Sequence, residues 1–166
     1  QKIISKKELY KNTLNFKIGE RCNLEELKQK LVDLGYVRYD LIDGRGEFSV
    51  RGGIIDISIN ETTGVRIEFW GDEIDSIRNF NIISQRSTTQ IDKIKIFPAH
   101  EYILENPIED VCNNIKQKIY EGKRLEILEN DIEEIKNGNY LSKIDKYFNS
   151  FYKKQDTILD YVDDKY

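Results

Sequence analysis

The sequence predicts an α+β fold: a small, mainly antiparallel sheet with one covering helix, followed by an α-helical segment. Three observations predict it. Between residues 46 and 97, short runs alternate apolar and polar side chains and are separated by short turn signals, as half-buried strands do. Leu24, Leu27, Leu31 and Leu34 have the spacing of one amphipathic helix. Beyond residue 105 the strand period is gone, and three stretches keep helical spacing instead.

Composition narrows the class further. Of the 166 residues, 39% are hydrophobic and 34% charged, which gives a core beneath a highly charged surface. The length suits one domain, or one domain with a helical appendage. No apolar run approaches the roughly 20 residues of a membrane span, and no signal-peptide core opens the chain, so a cytoplasmic location without membrane contact is expected. Cys22 and Cys112 stand far apart and His100 is the one histidine, so no metal site is expected, and two lone thiols fit a reducing compartment. The chain opens on Gln and is expected to be a piece of something longer. Its net charge of −4 lies wholly in residues 105–166, which carry ten Lys and Arg against fourteen Asp and Glu; residues 1–104 carry sixteen of each. Neither part shows the basic excess by which phosphate backbones are held, so direct DNA binding is not expected.

Residues 1–13 (QKIISKKELYKNT) are polar, lysine-rich and without a clear period, and read as a lead-in segment. Residues 14–18 alternate and make a short strand closed by Gly19. Asn23 is a favoured N-cap with Glu26 in the capping-box position, the leucine stripe follows, and Gly35 sits where a left-handed residue would stop the helix. Residues 35–60 hold five of the ten glycines and three arginines, with strands on either side of Gly52-Gly53. Phe48 and Val50 share one face, Ser49 and Arg51 the other. Ile55, Ile57 and Ile59 then oppose Asp56, Ser58 and Asn60. In residues 65–70, Val65, Ile67 and Phe69 oppose Arg66, Glu68 and Trp70. Gly71-Asp72 turns the chain into a strand over 73–83, residues 84–90 read as loop, and 93–97 form a last strand stopped by Pro98.

The later segment begins with a cap residue and a proline at Asn106-Pro107, followed by Ile108, Val111, Cys112, Ile115 and Ile119 on one helical face. A second helix over 124–136 turns Leu125, Leu128, Ile132 and Ile135 inward, with Gly138 after it. A third over 140–151 carries Leu141, Ile144, Tyr147, Phe148 and Phe151. The tail TILDYV (157–162) fits a strand. The crowding of Tyr140, Tyr147, Phe151 and Tyr152 predicts that this segment packs onto sequence outside the chain.

Little in the chain supports catalysis. There is no GxxxxGK[ST] phosphate loop, and Gly44-Arg45-Gly46 neither continues as GxGxxG nor opens a helix. Asp72-Glu73-Ile74-Asp75 spells a magnesium box but falls on a turn, and His100 has no serine or cysteine partner in evident relation. No catalytic residue, metal ligand or cofactor is assigned. What remains is a set of arginines placed on the sheet: Arg38, Arg45, Arg51, Arg66, Arg78 and Arg86. Arginine's planar fork suits carboxylates at protein interfaces, where arginine and aromatic residues dominate the contact energy.

GYVRYD (35–40), GEFSVRGGIIDI (46–57), VRIEFWGDEIDSIRNF (65–80), SQRS (84–87) and FPAHEY (97–102) resemble, in order and spacing, the UvrB-like region of bacterial transcription-repair coupling factors, the Mfd family. The same stretch is similar to the UvrA-interaction domain of UvrB, although RGGIIDI and SQRS are closer to the coupling factors. The resemblance implies a UvrA-interaction domain over 14–104, with 105–166 belonging to a neighbouring UvrB-like subdomain, as GNYLSKIDKYF and TILDYV also imply. It implies a non-catalytic piece that recruits UvrA to RNA polymerase stalled at DNA damage. In the longer protein, RNA polymerase, DNA, ATP and Mg would be bound by other domains. The arginines that map onto the family's UvrA contact are Arg38 and Arg51, with Arg45 beside them. Ser49 stands where UvrB carries another arginine, which implies one contact fewer. A DNA-contacting or an autoinhibitory module of the same repair translocase is the alternative.

Overall fold

The computed structural model describes residues 2–100, 108–117, 124–137, 144–151 and 155–161. The chain divides into two compact units, one of residues 7–103 and one of residues 1–6 with 104–166. It begins with β1 (Lys2–Ile4), α1 (Lys6–Lys11), β2 (Leu14–Lys17) and α2 (Leu24–Asp33). Six strands follow: β3 (Val37–Arg38), β4 (Glu47–Arg51), β5 (Ile54–Ser58), β6 (Thr63–Trp70), β7 (Glu73–Asn81) and β8 (Ser87–Gln90). After β9 (Lys93–Ile96) come α3 (Ile108–Gln117), α4 (Arg124–Lys136), α5 (Ile144–Phe151), β10 (Gln155–Thr157) and a 3-10 helix at Ile158–Tyr161.

In the larger unit, β3 to β8 form one sheet in sequence order, antiparallel except for the β3–β4 pair. β2 and β9 pair only with each other, as a separate antiparallel ribbon. The core lies between one face of the sheet and a layer made of α2 and the ribbon. Leu27, Leu31 and Leu34 from the helix and Phe16 and Ile96 from the ribbon meet Phe48, Ile55, Ile57, Val65, Ile67 and Ile77 from the sheet. The covering helix thus shares its work with two strands that stand apart from the sheet.

The ends of α2 are set locally. The Asn23 side chain accepts hydrogen bonds from the Glu25 and Glu26 amides at 3.0 and 3.1 Å, which satisfies two of the free donors of the first turn. At the other end Gly35 adopts φ +86°. There the Gly35 amide donates to Val32 and the Tyr36 amide to Leu31, both at 2.9 Å, the paired bonds that close a helix at a left-handed residue.

Two expectations are corrected here. Residues 1–13 are not featureless, since they hold β1 and α1. Residues 87–90, expected as loop, form edge strand β8, with all four residues exposed. The sheet's second face is partly closed: Ser49, Asp56, Ser58 and Ser76 on it are buried, and Ile42 from the loop before β4 packs there with Phe80 and Ile82.

In the smaller unit, β1 pairs antiparallel with β10, joining the two ends of the chain. The tail strand is Gln155–Thr157, and residues 158–161 turn into a 3-10 helix, so the strand expected over 157–162 is shifted toward the N-terminus. α3 packs against α4 and α5, burying Val111, Cys112, Ile115, Leu128, Ile132 and Ile135. Tyr147 and Phe151 are buried within this chain, contrary to the expectation that they await outside sequence. The Tyr147 hydroxyl donates to buried Asp131 at 2.7 Å. The Asn106-Pro107 cap, Ile119, Gly138, residues 140–143, Tyr152, Val162, Glu101 and Tyr102, and the side chains of Leu125, Ile144 and Phe148, lie outside the described residues. Among the described residues no helix is long and apolar enough to cross a membrane.

Candidate protein-docking face

The second face of the sheet carries Arg51, Arg66 and Arg78. β4 and β5 join through Gly52-Gly53, with Arg51 opposite Ile54 and Gly52 at φ +60°, a turn that needs a left-handed residue. The register then aligns Ser49, Asp56, Arg66 and Arg78 in one row across β4 to β7, and Arg51, Ile54, Glu68 and Ser76 in the next. Alternation puts both rows on the face away from the core.

Asp56 is the hub. Its side chain is 1% exposed and accepts from Arg66 Nε at 2.7 Å, Arg66 Nη2 at 2.9 Å and Arg51 Nη2 at 2.7 Å. A carboxylate this buried needs such partners, since desolvation otherwise outweighs its charge. The two guanidiniums differ. Arg66 is 16% exposed, binds Asp56 with two nitrogens and lies 4.9 Å from the centroid of the Phe80 ring. Its pKa is raised, first by the hydrogen bond to Asp56, with burial acting against it. Arg66 therefore does not belong among the free surface arginines. Arg51 is 48% exposed and gives Asp56 one nitrogen, so the rest of its fork faces outward. Farther along, Arg78 approaches Glu68 at 3.5 Å, and the Ser76 hydroxyl donates to the same carboxylate at 3.0 Å. Ser49, at 0% exposure, keeps its hydroxyl without a hydrogen-bond partner.

The three arginines assigned from the sequence do not share one face. Arg51 lies on the second face. Arg38 is exposed on edge strand β3, and its register with Phe48 puts it on the opposite side of the sheet from Arg51. Arg45 is exposed in the β3–β4 loop, where it lines a cavity of about 230 Å³ with Tyr36, Lys95 and Phe97. Burial pushes the Tyr36 hydroxyl up to about 12, with the Arg45 charge acting the other way. That hydroxyl donates to the Phe97 carbonyl at 2.9 Å.

Trp70 was not singled out by the sequence and belongs to this face. It is 85% exposed at the tip of the β6–β7 hairpin, in step with Arg66 and Glu68. The signal was present: alternation placed an indole on the polar side of a strand, next to a turn. From strand spacing and rise, its α-carbon lies on the order of 12 Å from that of Arg51. The described residues hold no cluster of three or more metal-ligating side chains. Asp72-Glu73-Ile74-Asp75 occupies the β6–β7 turn and the start of β7, Cys22 and Cys112 are free thiols, and exposed His100 packs its ring against Gly35.

Residues 14–102, which include the whole sheet and its helix, match the family model of the UvrB interaction domain. The chain belongs to the UvrB interaction domain family. Similar proteins include the transcription-repair-coupling factor of Bacillus subtilis (strain 168), 34% identical over 171 aligned positions covering 95% of this chain and 14% of that protein. The transcription-repair-coupling factor of Staphylococcus aureus (strain MRSA252) is 37% identical over 134 positions, 76% of this chain and 11% of that protein. The chain therefore matches only about one ninth to one seventh of the length of these relatives. The UvrB interaction domain occupies the larger unit, and Arg38, Arg45, Arg51 and Trp70 all lie within it.

Proposed function

We propose that this chain is a docking module that recruits the excision-repair protein UvrA, with Arg51 and Trp70 as the principal contacts. The observation that carries the reading is the pairing of a half-exposed Arg51, anchored on buried Asp56, with an 85%-exposed Trp70 on the same face. An arginine fork held in place and a rigid aromatic are the residue types that dominate interface energetics. Arg38 and Arg45 would join the contact where the partner wraps the β3 edge. The same face suits a duplex poorly: Arg51 and Arg66 share Asp56, and Arg78 has Glu68, so little unpaired positive charge is left for phosphates. In the longer relatives, the ATP- and Mg-dependent translocase and the contacts with RNA polymerase and DNA would lie outside this stretch, and the whole would act in the cytoplasm at stalled transcription. The exposed Trp70 also favours a second reading, in which another part of the longer protein covers this face until UvrA arrives.

Titration calorimetry of the 166-residue chain against UvrA tests the proposal. Saturable binding is expected, weakened by about 2 kcal/mol in Arg51→Ala. Absence of binding by the folded chain would refute recruitment. Weaker binding by the longer protein than by this chain would support the covered state.

A further inference from the structure

Lysines that are dispersed in the sequence are gathered by the β2–β9 ribbon. Lys17 stands directly opposite Lys93, and Lys95 follows two residues on, on the same outer side. All three are exposed, and among the described residues none has a carboxylate within ion-pair distance. Like charges facing across a strand pair weaken it. A cleft of about 370 Å³ is lined by these lysines with Asn15, Phe16 and Ile94, and by one carboxylate, that of Glu20. Lys95 also lines the 230 Å³ cavity beside Arg45, which has no carboxylate in its wall. Two aromatic rings lie open along the way. Tyr10, 53% exposed, has the Lys95 ammonium 6.0 Å from its centroid, and Phe97 is 44% exposed in the Arg45 cavity. Arg45, Lys95, Lys93 and Lys17 thus form a continuous basic stripe in a part of the chain whose net charge is zero.

We infer that this stripe binds the phosphate backbone of single-stranded nucleic acid. Lysine is depleted at protein interfaces, where a mobile, strongly hydrated ammonium is poorly suited to desolvation, but it serves phosphates well as a point charge in a wet groove. Lys93 and Lys95 are roughly 6.8 Å apart along the strand, a step that suits successive phosphates of an extended chain. Accessible rings beside such a groove offer stacking to unpaired bases of any sequence. The arginine face differs in its charges, which are paired to carboxylates. The two surfaces are independent except for Arg45, which both claim.

The test is fluorescence anisotropy of a labelled oligothymidine of about 20 nucleotides, titrated with the 166-residue chain at increasing salt. Micromolar binding is expected at low salt, with a log–log slope of roughly −3, from about 0.7 for each of four cations. Lys93→Gln with Lys95→Gln should lower affinity about tenfold or more and bring the slope near −1.4, leaving UvrA titration unchanged. Lys17→Gln should weaken binding and raise the melting temperature by relieving cross-strand repulsion. The inference is overturned by no saturable binding at low salt, or by an unchanged slope in the double variant. It is equally overturned by tighter binding of a duplex of the same length, by equal competition from polyglutamate of matched charge, or by a Lys17→Gln variant that melts lower than the parent.

Discussion

Replacing Asp56 by alanine removes a carboxylate that holds two arginines. It accepts three hydrogen bonds of 2.7 to 2.9 Å at 1% exposure. Taking one partner out of a buried ion pair costs about 3–5 kcal/mol, because the remaining charge is stranded. The two arginines would respond differently. Arg51, already 48% exposed, turns into water at little cost, while Arg66, 16% exposed and stacked near Phe80, stays largely enclosed. The expected loss is therefore that of one stranded guanidinium, about 3 kcal/mol. At about 4–8 °C per kcal/mol for a small domain, the melting temperature should fall by more than about 10 °C. Far-UV circular dichroism is the proper readout, since Trp70 is 85% exposed in the folded state and its emission would change little on unfolding. Converting the pair to apolar residues with Asp56→Val and Arg66→Leu should recover most of the loss. A loss below about 1 kcal/mol for Asp56→Ala would refute the burial of this hub.

Other outcomes follow from the same geometry. Ser49→Ala removes a buried hydroxyl that makes no hydrogen bond, and should stabilise the chain by about 1 kcal/mol in urea titration; destabilisation would mean the hydroxyl is satisfied in solution. Gly52→Val places a β-branched side chain at φ +60° and should cost about 1–2 kcal/mol, with a parental melting temperature as the contrary result. Tyr36 has a folded-state pKa of about 12 against an ordinary value of 10.0. A raised pKa means that its contribution is complete below pH 10 and disappears as the pH rises through 12. Stability measured over that window should fall more steeply for the parent than for Tyr36→Phe, and equal slopes would contradict the assignment.

Local chemistry was legible in the sequence wherever neighbouring residues decide it. Asn23, the leucine stripe and Gly35 define α2 without reference to the rest of the chain, and the alternation of residues 47–58 and 65–70 defines the central strands and their two faces. Features that depend on distant partners were not legible. β8 is four exposed polar residues held by main-chain pairing with β7, which leaves no hydrophobic period to read. β1 exists because its partner lies at the other end of the chain. Alternation assigned Asp56 and Arg66 to the outer face correctly, yet could not show that they bind each other and leave it half closed. Arg38 shares the Arg51 neighbourhood in sequence, but a two-residue parallel pairing sends it to the other side of the sheet. The lysine stripe was invisible for a related reason: Lys17 and Lys93 become neighbours only when β2 finds β9.

Amide hydrogen exchange of the 166-residue chain, with and without UvrA, tests the location of the docking face most directly. Protection on binding is expected at the two exposed turns that carry Arg51 and Trp70, Gly52-Gly53 and Gly71-Asp72, with the β2–β9 ribbon unchanged. Protection confined to the ribbon or to the α3–α5 helices, with both turns exchanging as in the free chain, would contradict it.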